Sequence, residues 1–161
     1  LNAWCMPGGR VVFYTGILPV CDNNNGIAAV MGHEVAHAVA KHGNERMSQQ
    51  MAIQGAGLSL SSVLAEQPQL THDLALQAFG VGSQFGILAY SRKHESEADK
   101  MGLIFMAAAG YDPREAVKVW ERMSAIGGEQ PPEFMSTHPS HETRIFELEA
   151  FMDEALKYYQ P

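Results

Sequence analysis

The sequence predicts a mostly α fold of the α+β class, with an N-terminal β-hairpin packed on a helical core. Three observations predict it. Short β-branched and aromatic runs occur around a Pro-Gly-Gly turn only before residue 18. Beyond Asn23 the apolar residues recur at helical spacing, and caps and stops punctuate the chain at helix-length intervals. With 161 residues, 46% hydrophobic and 18% charged, the chain has the size and composition of a single domain, 1–161, that can bury a core.

The hairpin pairs Asn2-Ala3-Trp4-Cys5-Met6 with Arg10-Val11-Val12-Phe13-Tyr14-Thr15 across Pro7-Gly8-Gly9. A first helix is expected over about 23–49. The cap-rich Asp22-Asn23-Asn24-Asn25 opens it, Ile27, Val30, Met31, Val35, Ala38 and Val39 form its apolar pattern, and Gly43-Asn44 frays or ends it. Helices at 50–66 and 70–90 follow, separated by Gln67-Pro68, with Thr71 or Asp73 available as a cap. The next runs from Ser91 to Ala109 and stops at Gly110.

Asp112-Pro113-Arg114-Glu115 then reads as a helix start, with an Asp cap, Pro at the first helical position and Glu at the third; Gly127-Gly128 ends that helix. Its Val117, Trp120 and Met123 are expected in the core. A loop through Pro131-Pro132 leads to Thr137-His138-Pro139, and a last helix from about Ser140 to Tyr158 places Ile145, Leu148, Phe151 and Met152 on one face.

A net charge of −7 with no Lys/Arg block argues against a phosphate-backbone partner, so no nucleic acid is expected. Met47–Ala65 and Leu74–Tyr90 carry no formal charge, but Ser, Gln and Gly interrupt both, and they are expected to be packed helices, not membrane spans. The opening at Leu1, without an initiator Met, leads us to expect an upstream segment, through which the chain would reach a membrane if it does so at all. Cys5 and Cys21 lack a CxxC spacing, which argues against a structural metal site; their count leaves both a disulfide and two free thiols open.

Residues 33–37 read His-Glu-Val-Ala-His. Four residues advance a helix by about 400°, so His33 and His37 project from one face about a turn apart and can reach one zinc ion. Glu34 falls beside that ion, where its carboxylate can take a proton from metal-bound water and pass it to a departing amine. An HExxH arises by accident in roughly two chains per hundred of this composition, and the apolar helical setting lowers those odds.

A catalytic zinc usually takes a third protein ligand. His42 is rotated roughly 140° from His37 on a continuous helix and misses the metzincin spacing, so it is expected to be solvated or capping. Glu95, which opens Glu95-x-x-Ala98-Asp99 on another helix, fits better. One turn on, Asp99 can accept the second N–H of a liganding imidazole, although a surface ion pair with Arg92 or Lys100 would also fit the pattern. Glu97 and His94 are expected at the surface. Taken by themselves, His138 is a loop residue set by Pro139, and Arg144 is a solvated charge or a partner of Glu147.

In order, Asn2-Ala3 with Pro7-Gly8-Gly9 and Thr15-Gly16, His33 to His37, Ser91-Arg92 with Glu95-x-x-Ala98-Asp99, and His138-Pro139 with Arg144 give the chain a pattern that resembles one zinc peptidase family over most of its length. That family holds the HtpX and CAAX prenyl-protease enzymes and the soluble envelope proteases of the LoiP and BepA type.

The resemblance implies a gluzincin metalloendopeptidase core holding one zinc per chain on His33, His37 and Glu95. Glu34 is then the general base, Asp99 orients a ligand, and His138 and Arg144 steady the oxyanion. It also implies a second role for His138, capping the zinc in a latent enzyme. Without spans between the zinc helix and Glu95, and without tetratricopeptide repeats, the chain is nearest the LoiP type. Protein quality control in a bacterial periplasm or cell envelope is expected, with unfolded or misfolded polypeptides as substrates pairing along Arg10–Thr15. A zinc-bound but proteolytically silent chaperone or assembly module is the alternative.

Overall fold

The computed structural model describes residues 2–6, 8–126 and 143–161. Strands β1 (Ala3–Met6) and β2 (Arg10–Phe13) form the expected antiparallel hairpin, with Ala3 opposite Phe13 and Met6 opposite Arg10. Gly9 N–H donates to the Met6 carbonyl at 3.0 Å to close the turn, and Tyr14 N–H donates to Asn2 at 3.0 Å to extend the pairing. A 3-10 turn over Thr15–Ile17 and the short α1 (Leu18–Cys21) carry the chain to Asn23, whose side chain accepts from Gly26 N–H at 3.0 Å and caps α2 (Asn24–Val39).

Two helix boundaries differ from expectation. The first helix does not continue to residue 49: Ala40 leaves it, Lys41 adopts a left-handed φ of 60°, and α3 (His42–Val63) starts afresh. The break therefore precedes Gly43. Conversely, the helices expected at 70–90 and 91–109 are one 40-residue helix, α4 (Gln69–Ala108). No Pro interrupts that stretch, and local propensity alone did not reveal its continuity. Gly110, at φ 84°, terminates α4 with Tyr111 N–H bonded to Met106 and Gly110 N–H to Ala107, the paired bonds of a Schellman stop.

α5 (Glu115–Ala125) begins two residues later than expected: Pro113 and Arg114 form a turn in which Asp112 Oδ1 accepts from Arg114 N–H at 3.0 Å, and Arg114, not Asp112, stands at the N-cap. In α6 (Arg144–Leu156) Leu148 is buried and Ile145, Phe151 and Met152 pack on the core. The Gly127-Gly128 stop, the Pro131-Pro132 loop, His138-Pro139 and the Ser140 helix start lie outside the described residues.

The chain divides into two compact units. One, Leu1–Lys41 with Arg92–Pro161, contains a core of Ile17, Val20, Val30, Leu103, Met106, Val119, Trp120, Met123 and Leu148. Trp120 and Met123 are buried as expected. The other, His42–Ser91, consists of α3 and the first part of α4, with Gly57 facing the Phe79 ring and Ser61 bonded to His72 at 3.2 Å. Among the described residues no helix is long and apolar enough to cross a membrane.

Candidate metal centre

The buried side of α2 carries Gly26, Ala29, Val30, Gly32, His33, Glu34 and Ala36. This is not the face traced by the largest apolar residues, since Met31 and Val39 are exposed. The reason is a close helix crossing. A Cβ on Gly32 would lie 2.8 Å from the Gly102 carbonyl oxygen, and one on Gly102 would lie 2.9 Å from the His33 nitrogen. Two glycines thus let α2 and the second part of α4 touch backbone to backbone, and their neighbours His33, Glu95 and Asp99 are drawn together.

The donor atoms converge. His33 Nε2 and His37 Nε2 are 3.0 Å apart, His33 Nε2 lies 3.3 Å from Glu95 Oε2, and His37 Nε2 lies 3.4 Å from Glu95 Oε1. A tetrahedral zinc with bonds of about 2.0–2.1 Å requires ligand atoms about 3.3 Å apart, so this His-His-Glu set fits that ion. His33 and Glu95 are buried while His37 is half-buried.

His33 Nδ1–H donates to Asp99 Oδ1 at 2.9 Å, which turns the Nε2 lone pair toward His37 and Glu95. Asp99 in turn accepts two bonds from Arg144, Nε to Oδ2 at 2.5 Å and Nη2 to Oδ1 at 2.7 Å. Arg144 Nη1 lies 3.0 Å from Glu95 Oε2, an ion pair whose angle is too poor for a hydrogen bond. Burial alone would raise the Asp99 pKa, but the Arg144 charge and the His33 bond hold its carboxyl below the usual range. At His33, burial works against the charged ring, yet the hydrogen bonds to Asp99 and Glu95 outweigh it and raise the metal-free pKa to about 9.

Several residues stand elsewhere than the sequence suggested. Arg144 is not a solvated charge: it is 1% exposed and bound to Asp99, while Glu147 accepts from Ser96 at 2.6 Å. Asp99 pairs with Arg144 and His33, not with Arg92 or Lys100. His94 is buried because the interior face of α4 is two residues wide, taking 94 and 95, 98 and 99, and 102 and 103. His42 is also buried, since the turn at Lys41 voids an angle reckoned on a continuous helix. Glu97 is exposed as expected. His138 lies outside the described residues.

Glu34, 2% exposed, is near enough to β1 for its charge to add to burial in raising the Cys5 thiol pKa. Cys5 and Cys21 are both free thiols. Sequence reasoning missed the Gly32–Gly102 crossing and treated Trp120 only as core. A glycine directly before His33, and another at the seventh position after Glu95, were the available signals.

A family model described as Peptidase family M48 matches residues 1–152. The mitochondrial metalloendopeptidase OMA1 of Schizosaccharomyces pombe is 40% identical over 156 residues, which cover 96% of this chain and 44% of that relative. The mitochondrial metalloendopeptidase OMA1 of Homo sapiens is 33% identical over 166 residues, 98% of this chain and 31% of the relative. The beta-barrel assembly-enhancing protease of Escherichia coli K12 is 29% identical over 156 residues, with 90% and 31% covered. This chain spans less than half the length of these relatives. No solved structure matches it.

Proposed function

This chain belongs to peptidase family M48, and from that premise we propose that it is a zinc-dependent metalloendopeptidase with His33, His37 and Glu95 as ligands and Glu34 as general base. The observation that carries the reading is the convergence of three donor atoms at 3.0 to 3.4 Å, with Glu34 buried at the residue after His33. Bound there, zinc supplies Lewis acidity that lowers the pKa of a coordinated water toward about 7 and polarises a peptide carbonyl.

The rest falls to the protein. Glu34 takes the proton of the attacking water and delivers it to the leaving amine. Asp99 fixes the His33 tautomer through the 2.9 Å bond. Arg144 is committed to Asp99 and Glu95, so we assign it to holding those carboxylates in place and leave oxyanion stabilisation to His138. β2 offers a substrate a strand edge for backbone pairing, which favours unfolded or misfolded polypeptides.

For location we propose a bacterial periplasm or cell envelope, in keeping with the beta-barrel assembly-enhancing relative. A mitochondrial compartment is the competing reading, favoured by the higher identity of the OMA1 relatives. Fractionation of the source cells separates the two. The activity itself is tested by chelation: cleavage of an unfolded protein should stop when the metal is removed and return with one zinc per chain, whereas cleavage that survives chelation, or zinc binding unaffected by Glu95→Gln, would refute the assignment.

A further inference from the structure

We propose that Trp120 is a positioning residue for the metal centre, its indole face fixing the Arg144 guanidinium that clamps Asp99 and Glu95; this rests on the His33-His37-Glu95 reading of the zinc site. Arg144 Cζ lies 3.6 Å from the Trp120 ring centroid. The two edges of the guanidinium meet carboxylates: Nε and Nη2 donate to Asp99, and Nη1 lies beside Glu95. Those contacts fix the group within its own plane. A surface stacked on its face resists motion perpendicular to that plane, and Trp120 provides one.

The same ring also borders the interior beside the site. A cavity of about 20 Å³ lies between the site and the core, walled by His33, Asp99, Gly102 and Trp120 among others. If the guanidinium tilted off the ring, the bidentate geometry at Asp99 would be lost, and with it the direction of the His33 Nδ1 bond. An ordinary core tryptophan would contribute only apolar burial. Here the ring also carries the negative face that a desolvated cation needs, Arg144 being 1% exposed.

The test measures zinc affinity by chelator competition on folded protein, alongside kcat and KM for an unfolded substrate. Trp120→Leu keeps an apolar side chain but removes the ring and should weaken zinc binding on the order of tenfold, as losses of ligand-orienting partners do, and lower kcat more than it raises KM. Trp120→Phe should recover most of the affinity. Val119→Ala, a neighbouring core truncation, should lower Tm without changing zinc affinity.

If Trp120→Leu does not fold, fluorinated tryptophan incorporated in a Trp4→Phe background weakens the π face at nearly constant shape and should reduce affinity stepwise with fluorine number. Affinity unchanged by fluorination, or equal in folded Trp120→Leu and wild type, would overturn the proposal. A wild-type protein that binds no zinc would instead overturn the underlying site assignment.

Discussion

Asp99 lies between His33 and Arg144, its Oδ1 accepting from His33 Nδ1–H at 2.9 Å and from Arg144 Nη2 at 2.7 Å. One carboxylate oxygen therefore orients the imidazole proposed as a metal ligand and anchors the cation that balances the buried acids. Substituting Asp99→Ala should weaken zinc binding by about 10- to 100-fold and leave Arg144 without its bidentate partner. Asp99→Asn, which keeps one acceptor, should lose less. Chelator titration of the two variants checks the order.

The close crossing of α2 and α4 predicts opposite results for two glycines. Gly102→Ala would place a methyl 2.9 Å from the His33 nitrogen, so the backbones must separate; a loss of about 1–3 kcal/mol and weaker zinc binding should follow. Gly80 has open space at its Cβ position on the same helix, and Gly80→Ala should stabilise by about 1 kcal/mol through helix propensity. Urea denaturation of each variant, with and without zinc, measures both effects.

Much of the candidate centre was legible in the sequence because its candidate ligands sit at fixed helical offsets. His33 and His37 share a face by arithmetic alone, and Glu95 with Asp99 repeats that offset. What was not legible depends on tertiary contact. Arg144 reads as a surface charge until α6 packs it against Asp99 and Trp120, and His94 reads as polar surface until the width of the buried face of α4 is known. The Lys41 break was obscured because a lysine at φ 60° carries no compositional signal, unlike the Gly43 two residues later.

His33 makes metal-free stability depend on pH. Its folded pKa, about 9, stands above the ordinary value of 6.5, so its contribution is fully present below about 6.5 and is lost as pH rises toward about 9. The chelated protein should lose Tm across that range through this residue. Because zinc requires the neutral ring, the stabilisation that zinc adds should grow over the same range, with protons released on binding. Thermal scans from pH 6 to 9.5, with chelator or with zinc, test the sign.

Burial pushes the Cys21 thiol pKa up to about 11 against the opposing charge of Arg122, so little thiolate exists at pH 8. In the native state Cys21 should resist alkylation, and unfolding without reductant should expose two titratable thiols, since Cys5 and Cys21 are unbridged. Finding no free thiol under those conditions would mean a disulfide.

Glu34, buried and next in sequence to His33, carries the central claim. The direct measurement compares cleavage of an unfolded protein by zinc-loaded wild type and Glu34→Gln, with metal content determined on both. Catalytic proton transfer predicts cleavage by wild type and a loss of at least about 100-fold in the variant, with one zinc retained per chain. Equal cleavage by both, or a zinc-loaded wild type that cleaves nothing, would contradict the account.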